Sequence, residues 1–163
     1  MIAMGKKNIQ NIIKNNKNTI LTMVGVLEHL REPTKALDSF VESQCQYLFL
    51  SVPCFCLTNF IEHCFPNVFP RHLGAPHTHM YTRTSLNFLL EKYKLEAIGE
   101  WWFGQEIHDL FRSMNVIMAK NNVSDKAQHF LNKFLFENID DLQKVLDKKE
   151  ICSTIQICVK KLN

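Results

Sequence analysis

The chain has 163 residues, of which 46% are hydrophobic, and its formal net charge is +3. This length is enough for one domain with a core and too short for two domains of ordinary size. Residues 1–18 hold four lysines and no acid, so the rest of the chain has 15 basic and 16 acidic residues, a net charge of −1. This balance argues against a nucleic-acid partner. No apolar run reaches the roughly 18 to 20 residues of a membrane span, so we expect no membrane partner.

The first segment and the cysteines bear on location. Residues 1–18 are rich in Asn and Lys, and we predict a poorly ordered or marginally helical arm ahead of one folded region at residues 19–163. The arm shows neither an uninterrupted apolar stretch nor a small-residue cleavage pattern, so it does not indicate a secretory signal. The six cysteines lack the density and spacing of a disulfide scaffold. We therefore expect a cytoplasmic protein with reduced thiols.

The next elements alternate between strand and helix patterns. Residues 19–27, TILTMVGVL, are apolar and β-branched and predict a strand buried on both faces. Pro33 lies near the first turn of a predicted helix whose apolar residues share one face. Residues 47–53, YLFLSVP, predict a second short buried strand. Strand, helix and strand in this order are typical of the βαβ unit of a parallel sheet.

The second half of the chain begins with a long irregular stretch. It runs from residue 54 to residue 80 and is rich in proline and histidine, which is typical of a functional or mobile loop. Thr82 is then predicted to cap a helix, and the segment LEAIGEWWFG predicts a third strand. Two more helices are expected after Gln105 and Ser124. The alternating segment ICSTIQICVKK predicts a last strand at or near an edge of the sheet.

Two titratable residues, Glu28 and His29, lie directly behind the first predicted strand. In an open parallel sheet, ligands bind outside the carboxyl ends of the strands. The residues from Gly25 to His29 occupy such an end, so we expect the Glu-His pair to face a crevice. The alternative is that the pair only supports the following helix, since acids are favoured near helix N-termini.

The ordered series of segments resembles the class I S-adenosylmethionine-dependent methyltransferases. The segments are TMVGVLEHLREPTKALDSF at the family's fourth strand and next helix, YLFLSVP at the fifth strand, HTHMYTRTSLNFLLEKYKLEAIGEWWFG at the next helix and sixth strand, and STIQICVKK at the seventh strand. The resemblance covers residues 19–161 and only the C-terminal half of the family's domain. It implies an α/β fold with a partial doubly wound, Rossmann-like sheet of strands four to seven, flanking helices and an antiparallel last strand.

The resemblance also implies a site and an activity. Cofactor and acceptor are expected to meet above strands four and five, and a methyl group would pass by in-line displacement to a small-molecule or sugar-like acceptor. A hydrogen-bonded loop without substrate contact is the alternative for the later histidines. The implied site residues are Gly25, Val26 and Leu27 for the cofactor, Glu28 and His29 for catalysis, and His77, His79 and Tyr81 for the substrate.

One departure from the family dominates. The family binds S-adenosylmethionine through a Gly-rich turn after its first strand and an acidic residue after its second strand, whereas the five glycines here nowhere form GxGxG. We therefore expect this chain alone to bind the cofactor weakly or not at all and to be inactive. The alternatives are a non-catalytic interaction domain or half of a split enzyme, either of which would use an exposed strand to dock an upstream fragment or a second copy.

No metal is expected at the site, although two metal hypotheses arise. Some relatives hold magnesium with an extra Glu three residues before the Glu-His pair, but Gly25 stands at that position here; His79 could match their later histidine. Cys-x-Cys followed by an adjacent His-Cys is a weak match to the ligand spacing of zinc sites. This second pattern leaves zinc open for Cys54, Cys56, His63 and Cys64.

Overall fold

The structure, a computed structural model, describes residues 8–74 and 77–162. They divide into two compact units: the first has the described residues up to Pro53, residues 78–101 and those from Ile155 onward, and the second has the described residues of 54–77 and 102–154. A 3-10 turn covers Leu27–His29. The helices and strands are α1 (Asn8–Lys14), β1 (Ile20–Val24), α2 (Pro33–Glu42), β2 (Tyr47–Pro53), α3 (Leu57–Cys64), α4 (Arg83–Lys92), β3 (Leu95–Phe103), α5 (Glu106–Lys120), α6 (Asp125–Lys148) and β4 (Thr154–Lys161).

The four strands form one sheet in the order β1-β2-β4-β3. β1 and β2 are parallel. At the end of β4, Lys161 N–H donates to the carbonyl of Gln46 before β2, and Leu162 N–H donates to the carbonyl of Lys94 before β3. β4 therefore runs antiparallel to both neighbours, and the predicted α/β class with an antiparallel last strand is confirmed. β4 lies next to the edge strand β3, which agrees with its predicted position at or near an edge.

The core of the first unit follows the two-residue period of its strands. Alternate side chains of β2 and β4 are buried, and α2 adds Leu37 and Phe40, which are 1% and 0% exposed. The alternation in β4 separates a core face from a partly exposed face. The buried strand side chains are Leu48, Leu50, Val52, Ile155, Ile157 and Val159.

The first strand is shorter and less buried than predicted. β1 ends at Val24, and Leu21 and Met23 are buried, whereas Ile20 and Val24 are 53% and 59% exposed. Burial of both faces was therefore wrong for the described residues. The apolar composition of the segment does not distinguish a strand with two covered faces from a strand with one.

Helix starts follow the predicted signals in most places. Pro33 is the first residue of α2, and the side chains of Thr82 and Ser124 accept hydrogen bonds from Ser85 N–H and Ala127 N–H at the starts of α4 and α6. Such caps stabilise a helix by about 1 kcal/mol each. No helix within residues 8–74 and 77–162 combines the length and apolarity that a bilayer crossing requires.

The irregular stretch predicted after β2 contains a helix, α3, so its description as wholly irregular was wrong. Cys56 N–H donates to Asn59 Oδ1 at 2.9 Å, closing a capping box at the start of α3. Cysteine is not among the residues favoured at this position, so no helix-start signal was present in the sequence. In the second unit α5 packs against both α3 and α6.

The predicted N-terminal arm contains α1, which packs on α2 and buries Ile13. Lys14 Nζ also lies 2.8 Å from Glu42 Oε2. The part of the arm at residues 1–7 lies outside the described residues. The poor order of the arm, and the reading of residues 19–163 as half of a larger domain, stay predictions.

Candidate functional site

The chain turns sharply at the carboxyl end of β1. Gly25 has φ +63°, a left-handed conformation that glycine adopts without strain, and its N–H donates to the carbonyl of Ser51 on β2. The 3-10 turn follows at once, and the side chain of Leu27 is fully buried. The turn therefore fixes Glu28 and His29 at the end of the strand.

A second segment crosses the ends of both parallel strands. Thr78 N–H donates to the carbonyl of Glu28 at 2.8 Å, and Tyr81 N–H donates to the carbonyl of Pro53 at 3.0 Å. These bonds hold residues 78–81 over the carboxyl ends of β1 and β2. His79 and Tyr81, two of the residues assigned by resemblance to the substrate, therefore lie at the same end of the sheet as Glu28 and His29.

Two buried polar groups at this end lack hydrogen-bond partners among the described residues. They are Glu28 Oε2 and the Tyr81 hydroxyl, on side chains that are 4% and 5% exposed. The other Glu28 oxygen lies 3.9 Å from His29 Nε2. Burial, and then the nearby Glu28 charge, raise the pKa of Tyr81 above its usual range. Unsatisfied buried groups are uncommon and often mark functional sites.

The orientation of His79 follows from its neighbour Thr78. The Thr78 hydroxyl lies 2.8 Å from the carbonyl of Glu28 and 3.0 Å from that of Leu30, and its oxygen is 2.9 Å from His79 Nδ1. The hydroxyl proton goes to a carbonyl, so the hydroxyl oxygen accepts from His79 Nδ1–H. The other ring nitrogen, Nε2, then carries the lone pair and can accept a proton.

A cleft of about 440 Å³ opens beside this segment, within the first unit. Its volume falls in the range of small-molecule sites. Sequence reasoning named His79 and Tyr81 but missed the residues contributed by the start of α2 and by α4. The lining residues are Arg31, Glu32, Pro33, Thr34, His79, Met80, Tyr81, Ser85, Phe88 and Leu89.

The other predicted site residues differ in accessibility. Gly25 is exposed and Val26 partly so, whereas the buried Leu27 side chain leaves only its backbone available to a ligand. His77 belongs to the second unit, where its ring centroid is 6.0 Å from that of His72 in an edge contact.

The four residues considered for zinc do not converge. Cys54 and Cys56 are buried, and the Cys56 thiol donates to Glu106 Oε1 at 3.4 Å. His63 and Cys64 are exposed at the end of α3. The ligand atoms of these four residues do not group within reach of one ion.

Sequence reasoning also missed a buried polar network in the second unit. Asp109 on α5 accepts hydrogen bonds from Arg71 Nη2 at 2.7 Å, Arg71 Nε at 3.0 Å and the Thr58 hydroxyl at 3.1 Å. Glu62 accepts from the backbone N–H groups of residues 71–73. These bonds tie the segment after α3 to α3 and α5.

A third buried carboxylate in the second unit, Glu106, is also paired. It accepts from Gln143 Nε2 at 2.6 Å and from the Cys56 thiol. Burial, and then the negative charge of Glu106, raise the pKa of Cys56 to about 12. The thiol therefore stays protonated and acts as a donor rather than as a nucleophile.

Comparison with known proteins supports a fold and no closer assignment. No family model matches the chain, and no curated protein matches it. Among solved structures, a S-adenosylmethionine-dependent methyltransferase from Archaeoglobus fulgidus is similar with a TM-score of 0.51 and 15% identity, over 98% of this chain and 66% of that one.

Two further solved structures align more loosely. One is a candidate sarcosine dimethylglycine methyltransferase from Galdieria sulphuraria, with a TM-score of 0.46, 9% identity, and coverage of 90% of this chain and 54% of that one. The other is a loganic acid methyltransferase with S-adenosylhomocysteine, with a TM-score of 0.33, 12% identity, and coverage of 99% and 58%. The chain thus spans 54% to 66% of the length of these structures. The fold, carried by the Archaeoglobus structure, is that of S-adenosylmethionine-dependent methyltransferases.

Proposed function

We propose that this chain supplies the acceptor side of a S-adenosylmethionine-dependent methyltransferase that acts on a small molecule. The observation that carries the proposal is the pair of buried, unpartnered groups, Glu28 Oε2 and the Tyr81 hydroxyl, at the carboxyl ends of β1 and β2. In parallel α/β sheets this is where ligands bind. The methyltransferase fold makes methyl transfer the first reaction to test.

The proposed roles follow from the hydrogen bonds and exposure at this end. His79 Nε2 would accept the proton of the acceptor's nucleophile, because Thr78 holds the other ring nitrogen. Glu28 and His29 would orient the acceptor or that base, and Glu28 would also hold residues 78–79 through its carbonyl. Tyr81 is proposed to contact the substrate.

The cofactor fits this chain only in part. The exposed turn at Gly25 and Val26 would present backbone to one side of S-adenosylmethionine, which supplies a methyl group on a sulfonium, and Leu27 would contribute backbone only. The sequence contains neither the GxGxG turn nor the acidic residue that the family uses for the rest of the cofactor. We therefore propose that the chain is incomplete as an enzyme and needs further polypeptide for cofactor binding.

The proposal is tested on the chain extended by the coding sequence directly upstream of Met1. We expect this extended protein to bind S-adenosylhomocysteine in calorimetry. Gly25→Val should weaken that binding about tenfold or more, because a β-branched side chain disfavours the positive φ of the turn. Gly99→Val is the matched control, since a Cβ there meets no atom within 4 Å. Failure of the extended protein to bind would contradict the proposal.

A second candidate function is an interaction domain, and the edge strand β1 favours it. Gly25 N–H points to β2, and backbone groups alternate in direction, so the N–H and C=O groups of Ile20, Thr22 and Val24 point to the free edge. Within the described residues no strand pairs with this edge. Exposed apolar edges of this kind favour pairing with another chain.

The edge candidate is tested by sedimentation velocity of the chain at increasing concentration. Self-association that Thr22→Lys abolishes would support it, because a lysine on the edge opposes strand pairing. Asn121→Lys, an equal charge change at the exposed end of α5, is the control. A chain that remains monomeric at high concentration would contradict docking of a second copy.

A cytoplasmic location is also part of the proposal. All six cysteines are free thiols. Persistent free thiols are typical of reducing compartments.

A further inference from the structure

We infer that the cleft of the first unit takes an acceptor with an anionic group, a carboxylate or a phosphate, attached to an apolar body. That this ligand is the methyl acceptor rests on the proposed function. The binding preference itself rests on the charges and surfaces that line the cleft, so the two can be tested separately.

The anionic group is assigned to the mouth formed by the start of α2. Arg31 lines the cleft, is exposed, and makes no ion pair or hydrogen bond with a described residue. The neighbouring acid does not cancel this charge locally, because Glu32 Oε2 is 2.6 Å from Lys35 Nζ. A free guanidinium in a cleft favours carboxylates and phosphates, which it can bind through two parallel hydrogen bonds.

The first turn of α2 adds to the same preference. Glu32 stands at the N-cap but makes no side-chain cap bond, and Pro33 follows it. The backbone N–H of Thr34, a residue that lines the cleft, therefore has no capping side chain as acceptor. The partial positive charge at such a helix start favours anions. This helix start supports the assignment together with Arg31 and the buried, unpartnered Tyr81 hydroxyl.

The apolar body is assigned to the wall built by α4 and the segment before it. Phe88 is 61% exposed although Leu86 on the same helix is 3% exposed. Met80 and Leu89 continue the wall. A ligand that covers this surface gains the free energy of removing apolar area from water.

A neutral sugar fits the cleft less well, which narrows the acceptor class. Sugars need several free hydrogen-bonding side chains. The Ser85 hydroxyl is already used in the capping box, where it accepts from Thr82 N–H at 2.8 Å and donates to the Thr82 carbonyl at 3.0 Å. Glu32 is likewise paired with Lys35. Arg31 is left as the charged side chain of this lining without an ion pair to a described residue, and a charged donor favours an anion over a neutral sugar.

The test is a titration of the isotopically labelled chain with benzoate, benzamide and phenyl phosphate, followed by NMR. Benzoate and benzamide share shape and differ in charge. We expect shifts centred on Arg31, His79 and Phe88, with an anionic probe binding roughly tenfold tighter than benzamide, the scale of one charge-assisted hydrogen bond. Preference for benzoate assigns a carboxylate, and preference for phenyl phosphate assigns a phosphate.

Variants decide whether Arg31 causes the preference. Arg31→Gln should remove the difference between benzoate and benzamide, whereas Arg31→Lys should keep part of it. Lys133→Gln on α6, with the same charge change at an exposed position of the second unit, should leave it intact. Equal binding of benzoate and benzamide, no effect of Arg31→Gln, or shifts outside the cleft would each overturn the inference.

The outcome is independent of the cofactor test. Anion preference through Arg31 in a protein whose extended form fails to bind S-adenosylhomocysteine would keep the ligand class and reject methyl transfer. Cofactor binding with no anion preference would keep methyl transfer and reject the ligand class.

Discussion

Buried carboxylates in the two units differ in their hydrogen-bond partners. In the second unit Glu62, Glu106 and Asp109 are buried, and each carboxylate accepts hydrogen bonds from named donors. In the first unit Glu28 is equally buried, yet its Oε2 atom has no partner among the described residues. A buried carboxylate without partners is costly, whereas a carboxylate that accepts hydrogen bonds from several donors helps to specify a structure. The paired carboxylates of the second unit therefore stabilise the structure, whereas the unpaired oxygen of Glu28 suits a ligand site.

The largest effect is expected from breaking the paired network. Asp109→Asn keeps the side-chain shape but leaves Arg71, whose side chain is 31% exposed, without its charge partner. The free energy of unfolding should fall by about 3 kcal/mol, the lower end for losing one member of a buried pair. Guanidinium denaturation measures it, and Asp141→Asn, which removes an exposed pair with Lys144, should cause no measurable change.

The network also predicts a pH dependence through His72. Its ring is 3% exposed, and its Nε2 lies 2.9 Å from Arg71 Nη1, an arrangement that requires the neutral ring. Burial, and then the Arg71 charge, lower its pKa to about 4; Glu62, His77 and Asp109 also face it.

Because the folded pKa lies below the unfolded one, the unfolded chain binds the proton first. The contribution is therefore fully present above about pH 6.5 and is lost as pH falls toward 4. We expect the free energy of unfolding to drop by about 2 kcal/mol between pH 7 and pH 5. His72→Gln should flatten this slope and the exposed His129→Gln should not; an unchanged slope in the first variant would contradict the account.

A smaller effect is expected at the turn after β1. Gly25→Ala places a side chain at φ +63°, which costs about 1 kcal/mol. Space is not the cause, because the nearest atom to an added Cβ is Glu28 Oε1 at 3.8 Å. Urea denaturation measures the loss, and Gly99→Ala should not reproduce it. A loss above about 3 kcal/mol would mean that the turn is a packing element.

The smallest loss of stability is expected for Glu28→Gln. Glu28→Gln removes a buried charge whose Oε2 atom has no partner among the described residues, so the free energy of unfolding should not fall. Replacing both Glu28 and His29 with Ala should cost no more than about 1 to 2 kcal/mol, the scale of a lost helix cap. The isosteric comparison with Asp109→Asn is the sharpest form of the contrast. Equal losses of unfolding free energy in Glu28→Gln and Asp109→Asn would contradict the difference between the two units.

The sequence predicted the strands and most helices because their signals are local. Alternation along β2 and the side-chain cap at Thr82 can be read from neighbouring residues. The helix α3 was not predicted because Cys56 is an unusual N-cap. The single buried face of β1 was not predicted because the sequence of an apolar strand does not show whether one or two of its faces are buried.

The site was predicted in part, for a similar reason. Glu28 and His29 stand out because they follow a strand directly. The cleft could not be predicted, because Arg31 and Phe88 are far apart in the sequence and line the same cleft only in the folded structure. The Arg71–Asp109 pair joins residues that are 38 apart in the chain, and no periodic signal links them.

The most direct test of the central claim is calorimetric titration of the chain alone with S-adenosylmethionine. The chain is taken to provide an acceptor side without the family's Gly-rich cradle. We therefore expect no saturable binding up to about 1 mM S-adenosylmethionine, which corresponds to a binding free energy weaker than about −4 kcal/mol. A stable monomer that binds S-adenosylmethionine at micromolar concentration would contradict the account.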